Sequence, residues 1–165
     1  MKTEIPERVV LASGNQGKLK EFGQLLIDWQ CEVLPQSSFS TPEVAETGDS
    51  FVENALLKAH AAAHHCQLPA IADDSGLAVD ALDGAPGIYS ARYAGDGASD
   101  AANLQKLLDD LEDTPDAERT GRFQCVIVYL RHARDPVPLI AQGAWEGRIL
   151  RAPAGANGFG YDPIF

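Results

Sequence analysis

Val9-Val10-Leu11-Ala12-Ser13-Gly14-Asn15-Gln16-Gly17-Lys18 passes from a short apolar run through a glycine-rich break to a lysine. The apolar run, bounded by turn formers, reads as a buried strand. After the break, Leu19, Phe22, Leu25 and Leu26 fall at helical spacing. Strand, glycine turn and helix in that order mark an α/β unit. The N–H groups of such a turn and helix start point outward together and favour an anion, glycines let the backbone come close, and a lysine adds charge. It is not a Walker A loop, which needs four residues between its glycines and Ser or Thr after the lysine, whereas Leu19 follows Lys18. A plain strand-to-helix turn with a surface lysine fits the same residues.

Outward from this unit the alternation continues. Gln36 to Gly48 reads as a loop, with Pro42 excluding a regular helix. Ser50 and Glu53 form a capping box that opens an alanine-dense helix over Phe51–Cys66. Pro69-Ala70-Ile71-Ala72 reads as a buried strand ending in an Asp73-Asp74-Ser75-Gly76 turn, Leu77–Leu82 as a further strand, and Asp83–Gly87 as a turn. Asn103–Leu111 carries a leucine stripe at helical spacing, and Phe123–Leu130 has strand composition. Leu139–Trp145 and Arg148–Leu150 read as two strands joined at Glu146-Gly147. The expected fold class is α/β, in one domain over residues 1–165.

Composition narrows the function. A chain of 165 residues with 45% apolar and 22% charged residues has globular values and buries roughly 70% of its unfolded surface. Its net charge of −11 repels nucleic acid and offers no basic patch, so a small anionic substrate needs local cations or a metal. The three cysteines, Cys31, Cys66 and Cys125, form no CxxC pair and suit a reducing compartment. No apolar run approaches membrane-spanning length and Met1–Pro6 is not signal-like, so the expectation is a soluble cytoplasmic protein.

Three further clusters carry chemistry. Asp73-Asp74-Ser75-Gly76 lies where ligands gather in open α/β sheets, and adjacent carboxylates on an extended chain point in different directions. One can bind Mg²⁺ or activate water while the other makes structural bonds; a solvated turn is the alternative. Asn54 and Lys58, four apart, share a helix face behind Glu46-Thr47-Gly48, so that Lys58 either reaches a phosphate or is solvated. In Asn157-Gly158-Phe159-Gly160-Tyr161-Asp162, Phe159 or Tyr161 either stacks on a base or belongs to the core. His60 and His64 have the spacing of a zinc pair but lack the HExxH glutamate, and a polar helix face is favoured there.

The order of the motifs is more telling than any one of them. Ser-Gly-Asn-x-Gly-Lys at 13–18, Glu-Asn-Ala-x-x-Lys-Ala at 53–59, Ala-Asp-Asp-Ser-Gly-Leu at 72–77, Gly-Ala-Pro-Gly-Ile-Tyr-Ser-Ala-Arg-Tyr at 84–93 and Gly-Phe-Gly-Tyr-Asp-Pro at 158–163 together closely resemble the inosine/xanthosine triphosphate pyrophosphatase family. The resemblance implies an elongated mixed β-sheet flanked by helices, with two lobes around a cleft, usually homodimeric. It implies release of pyrophosphate from ITP, dITP or XTP with Mg²⁺, which cleanses the nucleotide pool. Ser13, Gly14, Asn15, Gln16, Gly17 and Lys18 are then expected to hold the triphosphate, Glu46 and Asp74 to ligate Mg²⁺, and Asp74 to accept the proton of the attacking water. Lys58 neutralises phosphate, Ser75 contacts substrate, and Phe159, Gly160, Tyr161 and Asp162 form the nucleoside side. Family members continue into a tail with a lysine and a Ser-His-Arg motif that contact the purine. This chain stops at Ile164-Phe165, and a natural continuation is expected. The competing readings are a pyrophosphatase for modified pyrimidine nucleotides and a nucleotide-binding module without catalysis.

Overall fold

The computed structural model describes residues 5–42, 44–155 and 158–165; most of the N-terminal stretch judged free of a signal, and Asn157 of the last motif, lie outside them. Five strands, β1 (Arg8–Leu11), β2 (Glu32–Pro35), β3 (Ala70–Val79), β4 (Thr120–Leu130) and β5 (Leu139–Arg148), form one mixed sheet in the order β2-β1-β3-β4-β5. Three helices flank it: α1 (Gln16–Leu25), α2 (Phe51–Cys66) and α3 (Asp100–Asp110). No described helix is long and apolar enough to cross a membrane. Contacts gather in two compact units, one comprising residues up to Asp74 with Val126–Ala141, the other Ser75–Cys125 with Gln142–Phe165.

In the first unit β1 pairs in parallel with both β2 and β3, with Val10 opposite Ala70 and Leu11 opposite Ile71. Side chains alternate across a strand, so odd and even positions part company. Val9, Leu11 and Ile71 pack with Leu19, Phe22 and Leu26 of the α1 region. Val10, Ala12, Ala70 and Ala72 pack with Ala55, Ala59, Ala62 and Ala63 of α2, where small residues let helix and sheet approach closely. Leu25, assigned above to the α1 stripe, is 71% exposed; the buried stripe runs Leu19, Phe22, Leu26 instead.

Both helix starts follow from local chemistry. Asn15 caps α1, its Oδ1 accepting the Lys18 N–H at 3.1 Å. Ser50 Oγ accepts the Glu53 N–H at 3.2 Å, and Glu53 Oε2 in return accepts the Asp49 N–H at 2.8 Å. At the β4–β5 connection Asp135, with only 1% of its side chain exposed, accepts hydrogen bonds from the Arg131 guanidinium and from the Arg131 and Val137 N–H groups. Arg131 holds its carboxyl well below the usual carboxylate range. A depressed folded-state value contributes stability that is complete above the unfolded value, near pH 4, and is lost as pH falls through the folded one. Asp135→Asn should therefore lower Tm by a constant margin from pH 7 to about pH 4.5, with the gap to the parent narrowing below that. A thermal-melt series across pH 3–7 checks it; a gap that widens in acid contradicts it.

The second unit has its own core of Leu77, Val79, Leu107, Leu111, Ile149, Tyr161 and Ile164. Ile164 is fully buried in this core, and Phe165 packs against it and against the rings of Phe123 and Trp145. Arg119, 2% exposed, donates to the carbonyls of Leu111, Ile149 and Leu150, satisfying the C-terminal end of α3.

Several sequence expectations need correction. β3 is continuous through Asp73-Asp74-Ser75-Gly76, where a turn was expected, and it ends at Val79, followed by a 3₁₀ turn over Asp80–Leu82. Turn propensity loses here because long-range partners hold both aspartates, as described below. β5 likewise runs through Glu146-Gly147 without a break, and Gly147 lacks the side chain that would collide with the Phe165 ring. β2 was not anticipated, since four residues with two aliphatics leave no periodic signal, and Gln36–Phe39 within the expected loop is a 3₁₀ turn.

Candidate active site

Because β1 ends at Leu11 while β3 continues to Val79, Asp73 and Asp74 lie just past the carboxyl end of β1, beside the turn that opens α1. The position suits ligand binding although β3 itself does not end there. Strand parity then separates the two carboxylates. Asp73 shares the odd face with α1, and Lys18 Nζ donates to its Oδ2 at 2.5 Å. Asp74 shares the even face with α2, and Lys58 Nζ donates to its Oδ1 at 2.9 Å. The Lys58 ammonium also donates to Glu46 Oε1 at 2.9 Å, so Glu46 and Asp74 converge on one cation.

The three side chains are mostly buried, with 17%, 28% and 10% of Lys58, Glu46 and Asp74 exposed. Burial pushes the Asp74 carboxyl above its ordinary value, more than Lys58 pulls it down. Burial opposes the Lys58 charge as well, but Asp74 and Glu46 outweigh it and hold the ammonium above its ordinary value. Asp74 Oδ2 is buried without a hydrogen-bond partner among the described residues. An unpartnered carboxylate oxygen in a buried setting is costly, and a cation or a bound water satisfies it.

These donors fit a hard divalent cation. Mg²⁺ uses oxygen ligands, typically one or two carboxylates, with water and substrate phosphates completing its shell. Glu46 and Asp74 supply that number, and among the described residues no group of three His, Cys, Asp or Glu stands ready to enclose a metal. The Lys58 ammonium marks the place where positive charge is stabilised between them.

Of the glycine-rich turn, Gly14, Asn15, Gln16 and Gly17 are exposed and Ser13 is half-buried. Ser13 Oγ accepts the Asn15 N–H at 3.1 Å, and the Asn15 cap takes the Lys18 N–H. Gln16 and Gly17 remain as first-turn N–H donors, which a helix leaves without internal partners. A Cβ at Gly14 would meet nothing within 4 Å, so crowding within the fold does not require a glycine there.

The remaining expected residues belong to the second unit. Ser75 is half-buried on β3. Phe159 is 48% exposed, whereas Tyr161 is 6% exposed and donates its hydroxyl to the Ser90 carbonyl at 2.8 Å. Phe159 is therefore the ring free to stack. The loop is preset: Asp162 Oδ2 accepts the Phe159 N–H at 2.9 Å, Asp100 Oδ2 accepts the Gly160 N–H at 3.1 Å, and Gly158 has φ +91°. Ser90 joins this loop to β3, its Oγ accepting the Leu77 N–H at 2.9 Å. The His60 ring faces the Ala133 carbonyl, with Nδ1 3.1 Å from that oxygen.

Sequence reasoning left one of the two aspartates to structural bonds but did not find Lys18 as the partner of Asp73. Alternation along a strand sends the two to opposite faces without naming partners distant in the chain. The buried amide of Asn54 was likewise seen only as a neighbour of Lys58.

Residues 9–165 match the Ham1 family. The chain is 62% identical over 159 residues to a dITP/XTP pyrophosphatase of Vibrio parahaemolyticus, covering 96% of this chain and 80% of that protein. It is 58% identical to a dITP/XTP pyrophosphatase of Escherichia coli, with coverage of 96% and 81%. Among solved structures, a HAM1 protein from Coxiella burnetii superposes with a TM-score of 0.89 at 52% identity, covering 96% of this chain and 80% of that one.

Proposed function

The chain belongs to the Ham1 family, and we propose from that membership and from the site that it hydrolyses deaminated purine nucleoside triphosphates, ITP, dITP and XTP, to the monophosphate and pyrophosphate. The observation that carries the reading is Asp74, which keeps one oxygen on Lys58 and the other buried without a partner among the described residues, beside the glycine-rich turn. Pyrophosphatase relatives at about 60% identity supply the substrate class.

A phosphoanhydride resists attack because its own charges repel a nucleophile. Lys18 and the exposed N–H groups of Gln16 and Gly17 offer positive charge and donors to the phosphates. Glu46 and Asp74 would hold Mg²⁺, which when bound withdraws charge from the phosphates and helps align them. Asp74, whose burial raises its proton affinity, takes a proton from water. The water oxygen forms its bond to the α-phosphorus as the bond to the bridging oxygen breaks, and pyrophosphate leaves with that electron pair. Phe159, in the second unit, has an exposed ring of the kind that stacks on a base. A homodimeric state is part of the reading on the strength of the family resemblance, and a cytoplasmic location on that of the cysteine usage and the lack of signal-like or membrane-spanning runs in the sequence.

The test is pyrophosphate release from ITP, XTP, GTP, ATP and a set of modified pyrimidine triphosphates, with Mg²⁺ and with EDTA. Turnover of ITP and XTP is expected to exceed that of ATP by at least ~10², within the 10⁴–10⁵ that hydrogen-bonded base recognition can reach, and to vanish in EDTA. Equal rates with ATP and ITP defeat the base preference. Triphosphate binding without turnover identifies a binding module instead.

A further inference from the structure

Asn54 lies on α2 one turn before Lys58, and it is fully buried. Its Oδ1 accepts the Gly48 N–H at 2.8 Å, two residues beyond Glu46. The contact is tight: a Cβ at Gly48 would stand 2.8 Å from that same oxygen and 2.6 Å from Glu53 Cβ. The other end of the amide, Nδ2, is buried without a hydrogen-bond partner among the described residues, as is Asp74 Oδ2. The Asn54 side chain is close enough to Asp74 to favour its ionised form, although burial and Lys58 weigh more. Along one face of α2, then, Lys58 serves Asp74 Oδ1 and Glu46, while Asn54, whose NH₂ is buried and unpartnered among the described residues as Asp74 Oδ2 is, grips the loop that carries Glu46.

We propose that Asn54 is a positioning residue for both carboxylates: its carbonyl fastens the Glu46 loop through Gly48, and its NH₂ orients Asp74. The tie is a matter of geometry; its consequence for turnover rests on the pyrophosphatase reading. Outer hydrogen-bond partners of metal-ligating carboxylates fix their direction, and losing one typically lowers metal affinity or activity by 10–100-fold.

Two variants separate the halves of the amide. Asn54→Asp keeps an acceptor for Gly48 but replaces the donor facing Asp74, whereas Asn54→Leu removes both at similar volume. Three readouts apply: hydrogen exchange at the Gly48 amide, Mn²⁺ binding to the nucleotide-free protein by electron paramagnetic resonance, and kcat and KM for ITP. Gly48 is expected to stay protected in the parent and in Asn54→Asp and to lose protection in Asn54→Leu. Asn54→Leu should bind Mn²⁺ at least ~10-fold more weakly. Asn54→Asp should lose ~10–100-fold in kcat with KM for ITP within about threefold, a split that general destabilisation would not produce. Unchanged Gly48 protection in Asn54→Leu, or a kcat for Asn54→Asp within about threefold of the parent, overturns the assignment. Should Asn54→Leu not fold, Asn54→Asp decides. A parent protein with a protected Gly48 and bound Mn²⁺ that releases no pyrophosphate from ITP overturns the pyrophosphatase reading alone.

Discussion

Asp74→Asn is expected to lower kcat for ITP hydrolysis by about 10²–10⁴-fold, the range in which a positioned base contributes, while Tm stays within a few degrees of the parent. Asparagine has the shape of aspartate and keeps an oxygen for the Lys58 ammonium, which now donates to Asp74 Oδ1 at 2.9 Å. What it loses is the charge and the capacity to take a proton at Oδ2, the atom that is buried without a partner among the described residues. A structural role alone would show as a lower Tm with little change in kcat once folded protein is assayed. The measurement is single-turnover pyrophosphate release with saturating ITP, paired with a thermal melt. Turnover near the parent's removes Asp74 from the proton-accepting role.

Lys58→Met should cost both turnover and stability. One unit-charge contact near 4 Å is worth about 4 kcal/mol at an effective dielectric of 20, before desolvation is subtracted, so the loss in kcat should be about 10²-fold. Removing one member of a largely buried ion pair leaves the others uncompensated. Here Glu46 and Asp74, each 2.9 Å from the Lys58 ammonium, would face one another without it. The distinctive consequence is ionic: added Mg²⁺ should raise the Tm of Lys58→Met by more than that of the parent, because a cation between the carboxylates replaces the missing charge. Equal Mg²⁺ responses would mean that the two carboxylates do not share a cation site.

Much was legible in the residues themselves. The box at Ser50 and Glu53 and the leucine stripe of α3 are local devices, complete within one or two helical turns, and both form as read, whereas the cap at Asn15 was not read from the sequence. The family, too, was legible, because the order of five motifs is a property of the sequence and needs no coordinates. What stayed out of reach is carried by partners distant in the chain. Lys18 and Asp73 are 55 residues apart, and without knowing that they meet, Asp-Asp-Ser-Gly reads as a turn. Gly147 in β5 was read as a break for the same reason, its neighbour being the Phe165 ring.

The amino-acid sequence by itself determined the class of fold, the start of α2 set by its capping box, and the family, since these rest on short-range hydrogen bonding, periodicity and motif order. Only the tertiary structure decided that β3 runs on past the end of β1, and hence that Asp73 turns to Lys18 on one face while Asp74 turns to Lys58 and Glu46 on the other. The physical reason is strand parity: adjacent side chains point to opposite faces only while the backbone stays extended, and here ion pairs with two separate helices accompany that extension.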